Sequence, residues 1–160
     1  MTPGQYQVIE TDPIGYTSTS PNSWLLVVQA GVVLTQNFGD TPKAHLQGLV
    51  FLDVNRNSQP DAGEPGLQGA DIRLYRDANQ NGQLDAADVQ LATVASNSSG
   101  YYQFMSLDSG AYLVQEAIVP GGYAMIGNAV SAFNIANTET VTAHFAHARF
   151  LQWYLPVIGR

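Results

Sequence analysis

Apolar residues recur at every second position in short runs along this chain. They seldom recur at the three- to four-residue spacing of an amphipathic helix. Gly, Pro, Asn, Asp and Ser break the runs every 8 to 15 residues. The alternation predicts strands over 47–53, 70–76, 89–96, 100–105, 110–117, 129–135 and 140–147. Regular short strands with turn signals between them point to an all-β, immunoglobulin-like seven-strand sandwich. Its inward set reads as Val50, Leu52, Ile72, Leu74, Leu91, Tyr102, Phe104, Leu107, Tyr112, Val114, Phe133, Ile135, Val141 and Phe145.

The chain also repeats itself. "PGQYQVIETDPIGY" (3–16) aligns with "SGAYLVQEAIVPGGY" (109–123), matching Tyr6 to Tyr112, Val8 to Val114 and Glu10 to Glu116. After one inserted residue Pro13 meets Pro120, Gly15 meets Gly122, Tyr16 meets Tyr123 and Phe38 meets Phe145. Residues 1–40 are therefore expected to be the C-terminal part of a preceding, truncated sandwich repeat. Residues 41–47 would be a linker, 48–147 a complete domain and 148–160 an aromatic tail. Met1 aligns with Leu107, so the expectation is a chain that starts in mid-domain. "MTPGQYQVIE" has neither the basic start nor the apolar run of a signal peptide. Half a sandwich leaves apolar faces and strand edges open. The first 40 residues should dock on the complete domain, pair with another chain or stay poorly ordered.

Charge narrows the function. Charged residues make up 12% of the chain and the net charge is -7, with Lys43 the only lysine. Nucleic acid and anionic membrane surfaces are poor partners for such a chain, since both are held by Lys and Arg. No apolar run is long enough for membrane insertion. There is no cysteine, which removes disulfides and thiolate metal sites.

Six of the 13 acids lie in two twelve-residue stretches, "DVNRNSQPDAGE" (53–64) and "DANQNGQLDAAD" (77–88). Each carries side-chain oxygens at positions 1, 3, 5, 9 and 12. Ca²⁺ takes six to eight hard oxygens, and an EF-hand-type loop supplies them at these positions plus the carbonyl of position 7. The first loop offers Asp53, Asn55, Asn57, Gln59 by its carbonyl, Asp61 and Glu64. The second offers Asp77, Asn79, Asn81, Gln83 by its carbonyl, Asp85 and Asp88. Two Ca²⁺ ions are the expected cofactors. Gly82 stands at position 6 of the second loop, where the sharp turn needs it, while the first has Ser58 there. Mg²⁺ demands tighter octahedral geometry and keeps its waters. No helix flanks either loop: "GEPGLQG" follows the first and "VQLATVAS" the second, which speaks against a dockerin.

"GLVFLDVNRNSQPDAGEPGLQGADIRLYRDANQNGQLDAAD", "TVASNSSGYYQFMSLDSGAYLVQE" and "PGGY" follow one another over 48–145. Together they resemble the calcium-binding B-type repeat domain of bacterial serine-aspartate repeat surface adhesins. The resemblance implies a tandem, collagen-adhesin B-like (prealbumin-like) sandwich, extracellular or at the cell surface. It implies a non-catalytic spacer stiffened by calcium, with neighbouring repeats of the same chain as partners. Related collagen-adhesin domains close a Lys–Asn isopeptide bond beside a Glu. Glu116 stands where that Glu would be, but Leu52 and Asp53 occupy the strand end where the lysine belongs. No such bond is expected; Glu116 and Glu10 should instead bond backbone groups near the sheet's end.

No enzyme constellation emerges. His144 and His147 fall on opposite faces of a strand and read as surface residues. The alternative function is a carbohydrate- or protein-binding module, including one accessory to an extracellular enzyme. Its glycan or protein ligand would meet Trp24, Trp153 and Tyr154.

Overall fold

The computed structural model describes residues 1–150. Strands β1 (Gly4–Ile9), β2 (Tyr16–Ser18), β3 (Ser23–Val28) and β4 (Asp40–Pro42) come first. They are followed by β5 (Ala44–Leu52), β6 (Asp71–Arg76), β7 (Val89–Ala95), β8 (Tyr101–Leu107) and β9 (Gly110–Ile118). β10 (Tyr123–Ile126), β11 (Val130–Ile135), β12 (Thr140–Thr142) and β13 (Phe145–Arg149) complete the order. The described residues include no helix long and apolar enough to cross a membrane.

From Ala44 onward the chain is a two-sheet sandwich. One sheet runs β10-β13-β5-β8, with β12 on the same edge of β5 as β13; the other runs β11-β9-β6-β7. Alternate residues turn inward on each strand, as a half-buried pleat requires. Leu46 and Val50 of β5, Phe104 of β8 and Phe145 of β13 thus meet Ile72 and Leu74 of β6 and Tyr112 and Val114 of β9. Phe133 and Val141 pack partly against this core, as expected.

Three expectations about strands need correction. Leu91 is half exposed, and Ala92 and Val94 face the core in its place. The cause is a β-bulge: Leu74 pairs with Ala92 and Tyr75 with Gln90, so Leu91 is the extra residue and faces outward. β10 is an additional strand; "YAMI" follows Gly121–Gly122 and shows no alternation that would announce it. The strand expected over 140–147 is two strands, β12 and β13, both parallel to β5.

The break between them has a local cause. The Ala143 carbonyl turns out of the ladder to accept the buried Tyr102 hydroxyl at 2.7 Å. His144 Nδ1 accepts the Leu49 N–H at 3.1 Å in place of a backbone carbonyl. The turn is possible because residue 48 is glycine: a Cβ there would overlap the Ala143 carbonyl. Gly48→Ala should destabilise the domain by about 1–3 kcal/mol, the usual cost of an overpacked core. A urea midpoint equal to that of the parent chain would contradict this close approach.

The internal repeat is preserved in strand pairing. β1 pairs with β3 (Tyr6↔Leu26) as β9 pairs with β11 (Tyr112↔Phe133). β2 pairs with β4 (Tyr16↔Pro42) as β10 pairs with β13 (Tyr123↔Arg149). The stretch 41–47, expected as a linker, is taken up by the end of β4 and the start of β5. The Lys43 N–H donates to the Gly15 carbonyl at 2.8 Å, and its Nζ meets Asp108 at 3.0 Å. Of the tail expected over 148–160, Ala148 and Arg149 belong to β13, and the stretch from 151 on lies outside the described residues.

Candidate functional site

Both acidic stretches are long connections at the C-terminal ends of strands. β5 delivers the loop 53–64 at its Leu52 end. β6 delivers the loop 77–88 at the other end of the sandwich, where Arg76 pairs with Tyr112 and Leu107 meets Ala44.

The two loops share one hydrogen-bond scheme. Position 1 is buried in both, with Asp53 2% and Asp77 5% exposed. Each of these carboxylates accepts two backbone N–H groups, from Asn57 and Ser58 in the first loop and from Asn81 and Gly82 in the second. The position 3 oxygens, on Asn55 and Asn79, accept the N–H of position 5. The position 5 oxygens, on Asn57 and Asn81, accept those of Gln59 and Gln83 at 2.7 Å. Asp61 and Asp85 at position 9 each accept both asparagine amide groups of their own loop. Glu64 and Asp88 at position 12 each accept two N–H groups, Val54 and Asp61 in one loop and Ala78 and Asp85 in the other. The shorter Asp88 closes its loop as Glu64 does.

The backbones match too. Positions 4 and 6 are left-handed in both loops, with φ of 62° and 61° at Arg56 and Ser58 and 57° and 70° at Gln80 and Gly82. Only Gly82 takes that conformation without a Cβ penalty. Ser58→Gly should therefore stabilise the first loop by about 0.5–1 kcal/mol, after allowing for the greater freedom of glycine when unfolded. A lower melting temperature would contradict this.

The donor set fits a hard cation: three carboxylates, two amides and one carbonyl per loop, all oxygen. The three carboxylates of a loop are not drawn within 4.8 Å of one another, because the asparagine amides stand between them. Like charges that have no cation between them repel. Hydrogen bonds, led by the Ala87 N–H and then Asn81 and Asn79, hold the Asp85 carboxyl below its ordinary range.

Other expected residues fall elsewhere. His144 is exposed, but His147 is fully buried, which corrects its reading as a surface residue. Its Nε2 lies 3.0 Å from Glu116 Oε1, itself buried, so this glutamate faces an imidazole and not the backbone. Glu10 likewise faces side chains: its oxygens and those of Asp12 and Asp40 lie within 4.8 Å of one another. Burial in the first place, then Asp40 and Asp12, push the Glu10 carboxyl up. Phe145 pointing inward is the available clue to His147, two residues further along the same strand. Trp24 is 38% exposed on β3, while Trp153 and Tyr154 lie outside the described residues.

Known proteins carry the same organisation. The family model of the SdrD B-like domain matches residues 44–144. Serine-aspartate repeat-containing protein D of Staphylococcus aureus (strain Newman) is 32% identical over 134 residues, 75% of this chain and 9% of that protein. The chain thus spans a small part of that relative. Among solved structures, the Bacillus anthracis TIE protein matches with a TM-score of 0.54 at 21% identity, over 92% of this chain and 25% of that one. The shaft pilin SpaA from Lactobacillus rhamnosus GG matches at 0.51 and 19% identity, over 69% of this chain and 50% of that one. These two likenesses speak to the sandwich fold alone. The family match spans both acidic loops and both sheets: the chain belongs to the SdrD B-like domain family.

Proposed function

We propose that this chain is a non-catalytic, calcium-stabilised spacer of a secreted or surface-displayed bacterial protein, with neighbouring repeats as its partners. The observation that carries the reading is the identical hydrogen-bond scheme of the two loops. Asn/Asp-rich turns of unrelated purpose have no reason to share donors and acceptors position by position. With Ca²⁺ bound, Asp53, Asn55, Asn57, the Gln59 carbonyl, Asp61 and Glu64 would hold one ion. Asp77, Asn79, Asn81, the Gln83 carbonyl, Asp85 and Asp88 would hold the other. The asparagine amides would present oxygen where their NH₂ groups now meet Asp61 and Asp85. The ion's role is charge neutralisation and loop closure.

Placement supports a spacer. The chain enters the complete domain at Ala44 and leaves on β13, which is parallel to β5. Entry and exit therefore lie at opposite ends, which suits modules strung end to end. One acidic loop stands at each end, so rigidity is supplied where successive modules would meet. Thermal melts in millimolar calcium and in chelator, with metal analysis of the protein, test this. Two bound calcium ions and a higher melting temperature in calcium are expected. Identical melts and no bound calcium would end the reading.

A further inference from the structure

We propose that residues 1–42 form an open docking face for a four-strand segment built like Ala44–Leu107, carrying a basic residue at the position of Leu52. The argument begins with strand edges. In the complete domain β9 pairs with β11 on one side and β6 on the other, and β13 lies between β10 and β5. β1 and β4, which repeat β9 and β13, have only the β11-like and β10-like partners, β3 and β2. Their remaining edges are the ones that β6 and β5 fill in the complete domain.

The faces agree with the edges. Tyr6, Val8, Leu26 and Val28 alternate inward yet are only half buried, whereas their equivalents Tyr112, Val114 and Ile135 are buried. They line an apolar cleft of about 460 Å³ together with Val32 and Leu34. Leu34 repeats Val141, which packs on the core of the complete domain. An apolar face of this kind marks an interaction site.

Charge specifies the occupant. Glu10 repeats Glu116 and Asp40 repeats His147. Where the complete domain sets an acid against an imidazole, the open face sets acid against acid, with Asp12 alongside. Covering these carboxylates without a cation is costly. The residue registered opposite His147 is Leu52. A Lys or Arg there in the occupant would stand opposite Asp40, beside Glu10. A second copy of residues 1–42 would bring further carboxylates to the same place, so the charge favours the four-strand segment.

The test extends the 160-residue chain at its N-terminus with a copy of Ala44–Ser106 joined to Met1, which preserves the repeat spacing. Amide hydrogen exchange is followed at Gln5–Ile9, with β9 as the internal control for the folded domain. Exchange in β1 should slow by about 100-fold relative to the unextended chain. Leu52→Lys in the added copy should slow it about 10-fold more, and Leu52→Glu should abolish the protection. Equal exchange with and without the extension would overturn the proposal, as would an extension that stays unstructured beside a folded domain. Equal protection by the Lys and Glu forms would overturn the basic residue. A dimer of the unextended chain that already protects β1 would assign the face to a second copy.

Discussion

In chelator, Asp61→Asn and Asp85→Asn should melt where the parent chain does; in calcium each should lose a stabilisation of about 2.7 kcal/mol, if free calcium is about 100 times the dissociation constant. For a domain of this size that is on the order of 10 °C per site. These two positions separate metal from scaffold because Asp61 and Asp85 are exposed and accept asparagine amides within their own loop. Asparagine keeps their shape and one acceptor oxygen while removing the charge. Asp53→Ala and Asp77→Ala behave differently. Each strips a buried carboxylate from two backbone N–H groups and so costs stability in chelator as well, by about 1–3 kcal/mol for unsatisfied donors. The contrast is the measurement: calcium-dependent loss at positions 9, loss in both conditions at positions 1. Asparagine variants that keep the full calcium response would remove the loops from metal binding.

The contrast also marks what the sequence can convey. Acidic positions repeat with a fixed spacing, so the loops are legible in the amino-acid order alone. Spacing carries no depth, however, and only the fold distinguishes Asp53, sealed at the end of β5, from Asp61, which faces water. Period-two alternation locates seven strands because each has one wet and one dry face. It misplaces Leu91, since a bulge adds a residue without changing composition. It joins β12 to β13, since the break depends on a hydroxyl from β8 reaching the Ala143 carbonyl past Gly48. Contacts made across the sandwich have no local signature. The repeat, by contrast, rests on a handful of identities and recurs in the pairing of β1 with β3 and of β2 with β4, because register follows the inward pattern.

Glu116→Ala and His147→Ala should each lower the unfolding free energy by about 3–5 kcal/mol, the cost of leaving one member of a buried ion pair alone. The pair links the two sheets, Glu116 from β9 and His147 from β13, with both side chains buried. Burial, and after it the charge of Glu116, push the nearby Tyr102 phenol up, so the carboxylate acts on its surroundings in a poorly solvated place. His147 Nδ1 and the second Glu116 oxygen find no hydrogen-bond partner among the described residues. A pair so incompletely satisfied should be replaceable: Glu116→Leu with His147→Leu should recover most of what either alanine variant loses. Urea unfolding of the four proteins decides; a double variant as unstable as the two losses combined would mean that the groups act independently. The pair also reaches the metal loop. The His147 carbonyl accepts the Asp53 N–H at 2.9 Å, so the strand that carries the imidazole positions the first ligand of loop 53–64. Loop 77–88 hangs from β6 and β9 at the opposite end, through the Asp77 N–H and the Ala111 carbonyl. His147→Ala should therefore weaken calcium binding at the first loop and spare the second, a difference that titration of the Asp61→Asn and Asp85→Asn backgrounds resolves. Equal weakening at both would show that the loss spreads through the whole sandwich and does not pass along β13.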